Sequence, residues 1–141
     1  MNEFLENLVK TGGLKQEPPD ANESAGLLRS AIDRLQDAHN NQLKFASRFD
    51  LAYNAAHALA LYALRQQGYR SDKRYLVFQC LVHTAGVNKT QVRIFGLCHE
   101  RRNLAEYEGY MDVDETLLAE LLQATDQLLE KLMDMFKGEL K

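Results

Sequence analysis

The stretch SRFDLAYNAAHALALYALRQQG, residues 47–68, decides the fold class. Phe49, Ala52, Ala56, Leu59, Ala60, Ala63 and Leu64 recur at three- and four-residue spacing, so they line one face of a helix. Ser47 followed by Asp50 resembles a capping box with Asp in place of Glu, which predicts a start near Ser47. Gly68 supplies the expected C-cap. The many alanines let a neighbouring helix approach closely.

Upstream, Ala25, Leu28, Ala31, Ile32, Leu35 and Ala38 follow the same spacing and predict a helix over about 22–40. Before it, residues 1–20 read as an arm and linker. Asn2 caps a short helix over about 3–10, Gly12 and Gly13 stop it, and Pro18–Pro19 enforce extended chain. Such a short helix is unstable alone, so it docks on the body or frays. Residues 21–141 form the expected bundle domain.

Downstream, Leu76, Val77, Cys80, Leu81 and Thr84 predict a helix over about 72–85, stopped by Gly86. The next runs from Asn88 or Thr90 to about Tyr107, with Val92, Phe95, Cys98, Arg102 and Ala105 on a broad face and Gly109 opening a loop. The last starts at Asp114, a good N-cap, with a stripe from Leu118 to Phe136 and Gly138 as terminator. No segment alternates with period two, so no strand is predicted. Short links between long amphipathic helices predict an all-α, antiparallel, up-and-down bundle of four to five helices in a single soluble domain.

The chain has 141 residues, 45% hydrophobic and 26% charged, with a net charge of -3. That is enough to bury a core without disulfides or metal. The charge is uneven. Residues 65–102 carry eight Lys/Arg against two Asp/Glu, and residues 103–141 carry three against ten. A basic middle and an acidic final third suggest an electrostatic face, complementary halves of a dimer, or solvated helix faces of different sign. Cys80 and Cys98 sit within apolar helical patterns and read as reduced, buried thiols in a cytoplasm. No apolar run spans a bilayer. The opening MNEFLENLVKTGG is acidic and amphipathic, unlike a signal or transit peptide.

No phosphate loop, HExxH or zinc spacing is present, and His39, His57, His83 and His99 fall on different helices. No cofactor or metal is therefore expected. One segment concentrates reactive chemistry: CHERRNLAEYEGYMDVD, residues 98–114. His99, Arg102, Asn103 and Glu106 share one helical face, and Phe95 on that side borders it with apolar surface. An arginine beside apolar surface keeps its charge and needs a carboxylate, a carbonyl or a phosphate. The structural alternative pairs Arg102 with Glu106 and buries the Tyr107 ring at the bundle end.

The alanine-rich helix AYNAAHALALYAL with Tyr53 and Ala56, followed by RNLAEYEG, resembles a HEPN domain (higher-eukaryote and prokaryote nucleotide-binding). The resemblance covers most of residues 22–137 and leaves the arm outside. It implies a dimerising helical bundle. Many HEPN domains are metal-independent ribonucleases whose motif is Arg, a polar residue, a spacer of four to six and a His, with both subunits contributing to one cleft. Others partner minimal nucleotidyltransferases in toxin–antitoxin pairs. Here Arg102 matches the Arg and Asn103 the polar residue, but Tyr107 stands where the His is expected. A tyrosine, with a pKa of about 10, is a poor base at neutral pH, though it can donate a hydrogen bond to phosphate. His99, one turn before Arg102, is the candidate to supply the missing imidazole.

Three functions are therefore expected in competition. One is a HEPN-like homodimeric interaction module, with a nucleotidyltransferase as protein partner and no membrane association. Another is RNA cleavage or nucleotide binding through Arg102, Asn103, and Tyr107 or His99, with the basic stretch from Arg65 to Arg102 steering the polyanion. The last is a purely structural bundle. The alanine-rich helix and the helix carrying Arg102 are the expected dimer contributors.

Overall fold

A computed structural model describes residues 2–137. Its elements are α1 (Glu3–Lys10), β1 (Lys15–Gln16), α2 (Ala21–Ala38), α3 (Phe45–Gln66), β2 (Tyr69–Arg70), α4 (Arg74–Gln79), α5 (Leu81–Thr84), α6 (Lys89–Glu108) and α7 (Glu115–Met135). Most starts are capped as the sequence demands. Asn2, Asp20, Asn88 and Asp114 each accept a backbone N–H of the first turn. Gly109 closes α6 in the left-handed conformation that a Cβ disfavours. The expected stop at Gly138 lies outside the described residues.

Helix α3 is the axis of the molecule and touches α2, α4, α5, α6 and α7. Its Phe49, Ala52, Tyr53, Ala55, Ala56, Leu59, Ala60, Tyr62, Ala63 and Leu64 are all buried. The small side chains bring neighbouring helices close, and the interspersed rings and leucines fill the gaps. Each fully buried large side chain contributes about 1.5–3 kcal/mol. Side-chain pairs show the directions. Arg48 reaches the Ala38 carbonyl at one end of the α2–α3 pair, and Ser24 reaches Gln66 at the other, so the two helices are antiparallel. Asp50 with Arg102 and Tyr53 with His99 make α6 antiparallel to α3. The expected alanine-rich dimer surface on α3 is thus consumed inside the monomer.

Four local expectations are corrected. Helix α3 starts at Phe45, not at the Ser47 box: Lys44 holds the extended N-cap position, and Asp50 lies well inside the helix. Phe45 packs on the core and Arg48 ties the first turn to the end of α2, which outweighs the lost cap. Helix α2 starts at Ala21, one residue after its Asp20 cap. The helix expected over 72–85 divides at Cys80, whose carbonyl accepts from both His83 and Thr84 and so tightens the turn. Finally, a two-residue antiparallel ladder exists, pairing Lys15 with Arg70 and Gln16 with Tyr69. It is too short for a period-two signal.

That ladder lies beside an ion-pair network built on one buried arginine. Arg65, 1% exposed, donates through Nε to Glu23 Oε1 at 2.6 Å. Its Nη1 donates to the Glu17 and Tyr69 carbonyls at 2.8 and 3.3 Å, and its Nη2 to the Pro18 carbonyl at 2.7 Å. Arg70 pairs with both Glu17 and Glu23. Hydrogen bonds from the two guanidiniums hold the Glu23 carboxyl below its usual range, against a smaller opposing effect of burial. The linker is thereby pinned to the end of α3. The arm docks: Leu5 and Leu14 are buried in the common core, and the Phe4 ring stacks on His83 at 4.0 Å.

No helix among residues 2–137 is long and apolar enough to cross a membrane.

Candidate functional site

Three helices deliver polar side chains to one place. On α3, Asp50, Tyr53, Asn54 and His57 recur at helical spacing. Helix α4 contributes Arg74, Tyr75 and Phe78. Helix α6 contributes Phe95, His99, Arg102, Asn103 and Glu106. The floor is aromatic: the Phe78 ring stacks on Phe95 at 5.4 Å and meets Tyr53 at 5.9 Å and His57 at 5.8 Å.

Tyr53 is the centre. Its ring is fully buried, and two guanidiniums lie over it, Arg102 at 5.0 Å and Arg74 at 5.6 Å from the centroid. Such contacts hold a cation beside apolar surface without neutralising it. Arg102 is countered by Asp50 at 3.2 Å and, more loosely, by Glu106 at 3.5 Å. Arg74 donates to the Asn54 amide oxygen at 3.0 Å and forms no ion pair with a carboxylate among the described residues.

The Tyr53 hydroxyl lies 2.8 Å from His99 Nδ1, and Asn103 Nδ2 lies 3.1 Å from His99 Nε2. With the Asn103 amide donating, Nε2 accepts and Nδ1–H donates to the Tyr53 oxygen, which describes a neutral imidazole. Electrostatics agree. Burial first, then the charges of Arg74 and Arg102, push the His99 pKa down, with Glu100 opposing weakly. His57, one turn along α3, is pushed down to about 4 by burial, by Arg74, and by His99 and Arg102. Its Nε2 is buried with no hydrogen-bond partner among the described residues.

Of the residues picked out by the sequence, His99, Arg102 and Asn103 come together here. Tyr107 does not join them. It is 89% exposed, so its ring closes no bundle end, and the alternative that buried it there is set aside. Arg102 does pair with Glu106 as that alternative required, but Asp50 is the nearer partner. Sequence reasoning missed Asp50, Asn54, His57 and Arg74. The first three had a signal, since they are polar interruptions at one helical spacing within an alanine-rich run. Arg74 had none, because only the packing of α4 on α3 brings it to Tyr53.

The basic stretch is less available than its composition implies: Arg65 and Arg70 are committed to the Glu17–Glu23 network. The remaining histidines stand elsewhere, His39 against Asp126 and His83 under Phe4. No group of three or more His, Cys, Asp or Glu among the described residues is placed to hold a metal. Cys80 and Cys98 are buried free thiols, and burial pushes their pKa values up to about 11 and about 12. They are poor nucleophiles at neutral pH.

No family model, curated protein or solved structure matches this chain.

Proposed function

We propose that this chain is a HEPN-like dimeric module that binds a phosphate-bearing ligand, RNA or a nucleotide, at the Arg74–Arg102 cluster, and that it binds without cleaving. The observation that carries the proposal is Arg74, a cation held against the Tyr53 ring with no carboxylate paired to it among the described residues. A phosphate is a fitting counter-ion for two guanidiniums over one ring. The HEPN resemblance of RNLAEYEG supplies the ligand class. Two features favour binding over cleavage. Tyr107 is exposed to solvent. Both nitrogens of His99 are engaged, by Tyr53 and Asn103, so its ring has no free lone pair to take a 2'-hydroxyl proton.

The test is fluorescence anisotropy with a labelled single-stranded RNA and, separately, a labelled mononucleotide, followed by gel analysis of the RNA. Wild type binds, with affinity falling as salt rises. Arg74→Ala weakens binding on the order of tenfold or more, the scale of a charged hydrogen bond. The RNA stays intact. Equal binding by wild type and Arg74→Ala would remove the phosphate site. RNA cut by wild type but not by His99→Ala would replace binding by catalysis.

A second reading rests on a different observation. Tyr107 and Tyr110 are both exposed, the latter 63%, at the acidic end of α6. Exposed aromatics beside acids suit a protein partner, for which the resemblance suggests a nucleotidyltransferase in a toxin–antitoxin-type pair. Co-purification with such an enzyme, lost in Tyr107→Ala/Tyr110→Ala, is the expected result. Complex formation unaffected by the double variant would rule these tyrosines out.

A further inference from the structure

The arm docks on α5 through the stack of Phe4 on His83, and a cavity of about 600 Å³ lies between that stack, α4 and α6. Its size falls in the range of small-molecule sites, roughly 300–1,000 Å³. Neither Arg74 nor Arg102 lines it, so it is distinct from the phosphate cluster. Its walls are aromatic, with Phe4, Tyr75, Phe78 and His83 brought together from three helices. Phe4, Tyr75 and Leu97 are large apolar side chains left 38%, 47% and 37% exposed, and all three line this one cavity. Apolar surface left open around a concavity marks a place where a ligand sits.

The charges are ordered along α6. Lys89, Arg93, Gly96 and Glu100 follow one another at spacings of four, three and four, so they share one helical face, and all four line the cavity. Two cations stand at the start of the helix, and the carboxylate lies about 10 Å beyond Arg93 along the axis. Neither Lys89 nor Arg93 forms an ion pair among the described residues. Gly96 puts no side chain between the two ends. Tyr75 ring atoms lie 3.9–4.0 Å from where a Cβ would stand there, so the ring packs on bare backbone.

We infer that this cavity binds a small aromatic monocarboxylate, with its ring system between Phe4 and Tyr75 and its carboxylate on Arg93 and Lys89. The aromatic walls select a flat ring, which gains both area and favourable ring–ring geometry. The unpaired guanidinium of Arg93 presents the planar fork that a carboxylate matches with two hydrogen bonds. Glu100 limits the ligand to one negative charge, because a second at the far end would be repelled. That limit separates the cavity from a site for RNA or a polyphosphate. The site stands on its own residues and does not rest on the phosphate-binding reading.

The chain contains no tryptophan, so indole fluorescence reports a ligand alone. The full chain is titrated into indole-3-acetate, and the anisotropy of the indole is read with excitation beyond the tyrosine band. Wild type raises it saturably. Indole-3-acetamide, of the same shape without the charge, binds on the order of tenfold more weakly. Arg93→Ala weakens the acetate to about the level of the amide and leaves the amide unmoved. Glu100→Gln tightens the acetate by roughly threefold, since a like charge is removed. Phe4→Ala weakens both ligands, since both stack on the same wall. Misfolding cannot produce opposite signs for Arg93→Ala and Glu100→Gln. Equal binding of acetate and amide by wild type would overturn the carboxylate site. Acetate binding that ignores both Arg93→Ala and Phe4→Ala would place the ligand outside this cavity and overturn the assignment. No rise in anisotropy at the highest protein concentration would overturn the ligand class.

Discussion

Replacing Arg65 by alanine is expected to cost about 3 kcal/mol of folding stability, because several hydrogen bonds from one buried charged group are lost together. The side chain is 1% exposed and bonds Glu23 together with the carbonyls of Glu17, Pro18 and Tyr69. Alanine removes the donors to those carbonyls and leaves Glu23 with Arg70 alone. Domains of this size hold about 5–15 kcal/mol in total, so the variant sits near the edge of folding. Urea denaturation measures it. The midpoint should fall sharply with little change in slope, and the melting temperature should drop on the order of 10 °C. Arg65→Lys keeps the charge but cannot present a planar fork, so it should recover only part of the loss. A loss below about 1 kcal/mol would mean that the network is no stronger than an ordinary surface pair.

Acid should destabilise the fold well above the carboxylate range, through His57. The folded pKa of His57 is pushed down to about 4 from an ordinary 6.5. The unfolded chain therefore binds the proton more readily in that window. The contribution is fully present above about pH 6.5 and is lost as pH falls towards 4. The shift corresponds to about 3 kcal/mol. His99 is lowered for the same reasons and acts in the same direction. Glu23, whose carboxyl is held low by Arg65 and Arg70, loses its contribution only below the ordinary carboxylate pKa, so its effect falls at lower pH. Stability measured from pH 7.5 to 4 should decline in wild type and flatten in His57→Leu, which has no proton to take up. A variant profile parallel to wild type would assign the acid sensitivity to other groups.

The long helices were legible because their apolar residues repeat with the helical period, and solvent on one side enforces that pattern. Leu28, Ala31 and Leu35 on α2, and Leu118, Leu121 and Leu128 on α7, are buried as their spacing requires. What failed was local competition. The Ser47–Asp50 box is a real capping signal, yet packing of Phe45 and the Arg48 bond to Ala38 draw the helix a turn further back. The site was half legible. His99, Arg102 and Asn103 share a turn of one helix, so spacing alone could group them. Asp50, Asn54 and His57 group by spacing on α3, but Arg74 joins them only through packing between helices, which a linear pattern does not encode. Arg65 was misplaced for the same reason. It counted towards a basic surface, while the fold turns it inward to Glu23.

The Arg65 clasp also bears on the order in which the chain assembles. Helices α2 and α3 form a hairpin across a short link, so their contacts close small loops and can appear early. The clasp joins residues 17–23 to 65–70 and requires that hairpin to be nearly complete before the guanidinium finds its carbonyls. Docking of Leu5 and Leu14 comes through the same linker. Stop-flow kinetics on Arg65→Ala should therefore show the unfolding limb accelerated and the refolding limb almost unmoved. The clasp would act as a late bolt: it contributes little to finding the fold and much to how long the molecule stays in it.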